Sequence, residues 1–92
     1  MGLEELKYAR KVVGLRATEK AIQRGKAKKV YLAMDVEKKI RERIESLAKE
    51  RRVEVEYVDL AETLGRVCGI EVASSCAALL DFSESNQENA SK

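Results

Sequence analysis

Apolar positions along the chain switch repeatedly between helical and strand-like spacing. Leu3, Leu6 and Ala9 are three apart, which predicts a short helix over residues 3–10. Val12-Val13 followed by Gly14 reads as a brief strand ending in a turn. From Leu15 to Arg24, Leu15, Thr18, Ala21 and Ile22 form one stripe, and Gly25 supplies a left-handed stop. The run "VYLAM", Val30 to Met34, is continuously apolar, as expected of a strand covered on both faces. Asp35 is placed to cap the next helix, with Glu37 in its first turn and Val36, Ile40, Ile44, Leu47 and Ala48 along one side.

Beyond that helix, "VEVEYV", Val53 to Val58, alternates as a half-exposed strand does. Asp59-Leu60-Ala61-Glu62 resembles a capping box opening a short helix that turns Leu60, Leu64 and Val67 inward and ends at Gly69. Cys76 to Phe82 predicts a last strand. Alternating helices and strands around one very apolar central strand predict an α/β fold. The expected architecture is a three-layer α/β/α sandwich with a small mixed four-stranded sheet. Residues 1–82 form one domain in this reading, and the polar stretch 83–92, "SESNQENASK", a disordered tail.

Composition narrows the chemistry. Of the 92 residues 45% are hydrophobic but only four are aromatic, so Val, Ile, Leu and Ala must build the core. The chain has no His, which removes the commonest general base and metal ligand. Cys68 and Cys76 lie eight apart without a Cys-x-x-Cys pair, so no metal site is expected and both thiols read as packing groups. No nucleophile elbow, phosphate loop or dinucleotide fingerprint occurs. An enzyme is therefore not expected, nor a cofactor. The start, "MGLEELKYARK", lacks an apolar core long enough for a signal peptide, and no segment is long and apolar enough to span a membrane. The expectation is a cytoplasmic chain with reduced thiols.

Charge is unevenly distributed although the net value is only +2. Residues 1–29 carry nine Lys/Arg against three Glu, or +6; residues 30–92 carry nine against thirteen acids, or −4. Within the basic part, Arg16, Lys20 and Arg24 recur at four-residue spacing and form a stripe on one helix, with Lys26, Lys28 and Lys29 extending the positive field. Such a stripe behind a helix N-terminus suits a phosphate-lined groove; it is also what the wet side of an ordinary amphipathic helix looks like.

A second oddity separates the two. After Gly69 the chain writes Ile70-Glu71-Val72, then five small residues from Ala73 to Ala77, a pattern poor for both turn and strand. Two segments, "VVGLRATEKAIQRGKAKKVYLAMDV" and "LGRVCGIEVASSCAALLDF", resemble the kink-turn-binding ribosomal-protein family called L-seven-Ae, over about Val12 to Phe82. The most specific part is Leu64-Gly65-Arg66 with Cys68-Gly69-Ile70-Glu71-Val72.

The resemblance implies a non-enzymatic binder of kink turns, sharply bent RNA elements with a bulge beside sheared G·A pairs. In that family the second helix enters the RNA groove at its start, and the loop after the fourth helix covers the extruded bulge bases. Carried onto this chain, Gly14 shapes the approach, Arg16 stands at the family's Asn or Lys position, and Lys20 matches its Lys. Arg24 continues the stripe, and Ile70, Glu71, Val72 and Ala73 belong to the loop. Ile70 and Val72 would then form an apolar platform for unstacked bases. Two positions depart from the family. Ala17 stands where relatives usually carry Glu or Gln able to bond guanine edges, a contact worth roughly 1–3 kcal/mol of discrimination. Met34 stands where a charged residue is common.

Two readings follow. In the first, a monomer binds a structured RNA containing a kink turn, ribosomal or regulatory, and stabilises its bent form. In the second, the Ile-Glu-Val loop docks a protein partner on a scaffold whose RNA recognition Ala17 has weakened.

Overall fold

The computed structural model describes residues 10–80, so the expected first helix and tail lie outside the described residues. Strand β1 (Lys11–Val13) leads into helix α1 (Leu15–Gln23), β2 (Ala27–Ala33) and α2 (Lys38–Glu50). Strand β3 (Glu54–Val58), α3 (Ala61–Val67) and β4 (Cys76–Leu80) complete the order. The strands form one sheet in the order β1-β4-β2-β3. β2 and β3 run parallel and are joined by α2, whereas β4 lies antiparallel to both β1 and β2. The sheet is therefore mixed, and the fold is the expected α/β sandwich.

Alternation in β2 divides the core. Val30 and Leu32 point to the face covered by α1 and α2, where they meet Ile22, Ile44, Cys76 and Ala78. Tyr31 and Ala33 point to the opposite face, against Val58, Ala77, Leu79 and the α3 residues Ala61 and Leu64. All four of these β2 residues are fully buried, which explains the unbroken apolar run. The small β4 side chains Ala77 and Ala78 lie opposite Tyr31 and Val30 and leave them room.

Helix ends follow a common design. Each of the three helices among the described residues closes with paired hydrogen bonds of the Schellman type: Lys26 to Ala21 (2.9 Å) and Gly25 to Ile22 (3.1 Å), Val53 to Ala48 (2.8 Å) and Arg52 to Lys49 (3.2 Å), and Ile70 to Gly65 (3.1 Å) and Gly69 to Arg66 (3.1 Å). Gly25 and Gly69 were legible as stops. The middle helix uses Arg52 instead, with φ at 60°.

Several local expectations are corrected. β2 begins at Ala27, with a bulge between Ala27 and Lys29, and ends before Met34. Asp35 does not cap α2: Glu37 occupies that position without a side-chain cap bond. Asp35 instead reaches across the fold and accepts the Ala61 N–H, 2.8 Å away, at the start of α3. That contact replaces the expected capping box, because Leu60 stands at the N-cap of α3 and is 48% exposed rather than inward. Val36 packs with the α3-side cluster and not with the α2 stripe.

Replacing Arg52 by Gly should stabilise the domain. A non-glycine residue in the left-handed region costs about 1–2 kcal/mol, and the extra freedom of Gly in the unfolded chain offsets part of that. The expected gain is about 0.5–1 kcal/mol, read as a rise in the urea midpoint at constant slope; an unchanged or lower midpoint would show that Arg52 is held by contacts worth more than its backbone strain.

Candidate nucleic-acid interface

The junction between β1 and α1 is set by Gly14, with φ 103° and ψ 162°, a region that side chains scarcely tolerate. Its N–H donates to the Cys76 carbonyl (2.9 Å), and its own carbonyl accepts the Thr18 N–H (3.0 Å). No side chain caps α1 and no acid occupies its first turn. The first N–H groups of the helix therefore remain available to an anion. Behind them Arg16, Lys20 and Arg24 are all exposed. Among the described residues no carboxylate pairs with any of the three; the one acid of α1, Glu19, is held by Arg43 of α2.

The loop after α3 arrives at the same end of the sheet. Its beginning is fixed by the Ile70-to-Gly65 bond and its end by three more: Ser74 N–H to Ala61 carbonyl (3.0 Å), Ala33 N–H to Ser75 carbonyl (2.9 Å), and Ser74 Oγ to Cys76 carbonyl (2.8 Å). Ser74 is only 4% exposed. Between these anchors the chain crosses directly over Gly65. A Cβ there would run into the Val72 carbonyl and lie 3.1 Å from its carbon and 3.3 Å from Ala73 Cα. Ile70 is half-buried, whereas Glu71, Val72 and Ala73 project; Val72 is 69% exposed. With Glu62 and Arg66 they line a hollow of about 310 Å³.

The Cys76 carbonyl thus receives one bond from the α1 junction and one from the loop, so Gly14 with the start of α1 and the loop residues Ile70 to Ala73 meet at one end of the sheet, whereas Arg24 lies at the far end of α1. The sequence profile of the Ribosomal protein L7Ae/L30e/S12e/Gadd45 family matches residues 3–89. The chain belongs to that family.

Relatives within it include an RNA-binding protein of Caldanaerobacter subterraneus subsp. tengcongensis, 36% identical over 69 residues that make up 75% of this chain and 84% of that one. An RNA-binding protein of Geobacillus kaustophilus is 36% identical over 81 residues, 87% of this chain and 99% of its own. Among solved structures, a protein of unknown function from Bacillus halodurans shares the fold with a TM-score of 0.79 at 22% identity, covering 96% of this chain and 92% of that one. A Giardia lamblia 15.5kD RNA binding protein shares it with a TM-score of 0.77 at 21% identity, covering 97% and 78%.

Other family-segment residues have quieter roles. Thr18 faces inward, fully buried, beside the Cys76 thiol. Burial pushes the neighbouring Cys76 thiol up, partly offset by Thr18 and Ser75. Burial likewise pushes Cys68 up, against the opposing pull of Lys11, and its side chain packs beside the α3-side core. Neither cysteine is thus primed as a thiolate. Among the described residues no group of three His, Cys, Asp or Glu side chains is placed to hold a metal.

The positive field is smaller than the sequence count suggested. Lys29 lies on the α3-side face, 2.7 Å from Glu56 and over the Tyr31 ring at 5.4 Å. The bond to Glu56 holds its ammonium above the usual lysine range. Conversely, Glu62 and Arg66 beside the loop were not singled out as site residues. The signal was present in Leu64-Gly65-Arg66: Arg66 is four residues before Ile70, one helical turn away.

Gly65→Ala should displace the loop while leaving the sheet intact, since the colliding atoms are backbone. A loss of about 2 kcal/mol or more in stability is expected by overpacking, with backbone NMR shifts concentrated at residues 70–75; unchanged loop shifts would show that the close approach does not set the loop. Asp35→Ala should cost about 1 kcal/mol by removing the cap of α3, read from thermal unfolding. An unshifted midpoint would mean that water replaces the carboxylate without loss.

Proposed function

We propose that this chain is a non-catalytic RNA-binding protein that recognises a kink turn and stabilises its bent form, acting as a cytoplasmic monomer on a ribosomal or structured regulatory RNA. The observation that carries the reading is the convergence of an uncapped, acid-free helix N-terminus and a projecting Ile-Glu-Val loop on the Cys76 carbonyl. A helix dipole with exposed Arg16, Lys20 and Arg24 suits phosphates, whereas the loop suits bases that have left the stack. A sharply bent RNA with an extruded bulge presents both features side by side. The RNA-binding relatives in the same family support the assignment.

Mechanism in this reading is selection without chemistry. The protein binds the bent conformer better than the extended one, and the equilibrium moves by that difference in affinity. Arg16 donates to phosphate or guanine acceptors, Lys20 supplies a point charge, and Val72 with Ile70 covers base faces. The half-buried Ala17 contributes no polar group, so guanine-edge recognition falls to its neighbours. The monomer assignment agrees with the β3 edge, where Glu54 and Glu56 discourage pairing with a second copy. Among the described residues no helix is long and apolar enough to cross a membrane.

The test is a titration of a fluorescently labelled kink-turn hairpin in near-physiological salt, beside a control whose sheared G·A pairs are replaced by Watson–Crick pairs. Wild-type protein should prefer the kink turn, with fluorescence reporting the bend. Lys20→Glu should weaken binding about tenfold or more and flatten the salt dependence. Equal, weak binding to both hairpins would refute kink-turn recognition. A salt-insensitive protein partner lost on replacing Ile70 and Val72 would then favour the interaction-module reading.

A further inference from the structure

A second concavity lies on the flank of α1, on the α1/α2 side of the sheet where β1 and β4 pass beneath the helix. Val12, Ala17 and Leu80 are half-buried and form its floor with the buried Ala21; Lys20, Arg24 and the half-buried Lys26 border it. Its volume is about 220 Å³. At about 30 Å³ per water that is roughly seven water molecules, room for one planar ring system and not for a second strand.

The pattern within α1 makes this hollow directly. Ala17 and Ala21 are one turn apart, as are Lys20 and Arg24, and the two pairs occupy adjacent rows of the helix surface. Small side chains thus open the floor while long cations border it. Any larger residue at position 17 would occupy the space.

We propose that the hollow holds one nucleotide of the bound RNA, its base lying on Val12, Ala17 and Leu80 and its phosphate between Lys20 and Arg24. The inference rests on the RNA-binding reading and extends its footprint along α1. Lys20 is common to the hollow and to the stripe behind the helix N-terminus. Arg16 to Arg24 covers roughly 12 Å at 1.5 Å per residue, so the surface is continuous. An apolar floor with a cationic rim is complementary to a nucleotide in both parts: the flat base is desolvated on aliphatic side chains and the phosphate meets charge. A hydrophobic peptide has no use for the bordering cations, and a bare phosphate has none for the floor. Because no floor side chain carries a hydrogen-bonding group, the hollow accepts a base by its face and does not read its identity. Ala17 therefore sets how the RNA is contacted at this point, by shape where a polar side chain would read an edge.

The experiment uses the full chain and the same labelled kink-turn hairpin, with 4-thiouridine placed at successive unpaired or flanking positions. One position is expected to photocrosslink to the tryptic peptide Ala17–Lys20, or to Leu80 itself as located by fragmentation of its peptide, which also carries the Ile70-Glu71-Val72 loop. Removing the base at that position should weaken binding to wild type about five- to tenfold, as expected for apolar area taken from water on an aliphatic floor. Exchanging that base for another should change affinity little. Ala17→Leu, which fills the floor and keeps the bordering cations, should weaken binding by a similar factor at unchanged salt slope and be indifferent to the abasic site. Arg24→Gln should reduce the salt slope by about one.

Wild-type affinity in a folded Ala17→Leu variant, or no crosslink within Ala17–Lys20 or at Leu80 itself for any position, overturns the hollow. If wild type still prefers the kink turn over its Watson–Crick control, that result leaves the RNA reading standing. If wild type shows no such preference, both proposals fall together.

Discussion

The carbonyl oxygen of Cys76 accepts two hydrogen bonds at the first residue of β4, from Gly14 N–H at 2.9 Å and from Ser74 Oγ at 2.8 Å. Cys76 and Ser74 are both buried, so losing the bond between them would expose the desolvation cost of a polar group. One bond fixes where α1 starts and the other fixes where the loop ends. Because β4 lies between β1 and β2 in the sheet, this oxygen sits at the seam of the whole domain. The backbone geometry at Gly14, the burial of Ser74 and the run of small residues before β4 all serve the same crowded point.

Much of this architecture is written locally in the sequence. The apolar run from Val30 declares a strand buried on two faces, and the α1 stripe with Gly25 declares both the helix and its end. What escaped local reading depends on contacts between segments far apart in the chain. Asp35 looked like the cap of the helix that follows it, yet it bonds Ala61, twenty-six residues on, because the turn after β2 lies beside the start of α3. Arg52 gives no sign of a left-handed stop, since the Schellman bonds and the packing of Val53 impose it from outside.

The site follows the same division. Arg16, Lys20, Glu71 and Val72 could be nominated as candidates from residue type and family resemblance, because their side chains face outward and owe little to packing. Lys29 was counted in the basic field on charge alone. Its removal from that field required the parallel register of β2 and β3, which lines up Tyr31 with Glu56 and brings the carboxylate to the ammonium. Arg66 was named within the Leu64-Gly65-Arg66 segment without a role of its own, because its place beside the loop depends on the chain folding back over Gly65.

The crossing of Val72 over Gly65 also says which partner must change shape. A loop anchored at both ends and resting on a helix backbone has few conformations to give up, so forming a complex would cost the protein little entropy of ordering. The loop can serve as a fixed template, and in the proposed complex the deformation would fall on the flexible molecule laid against it.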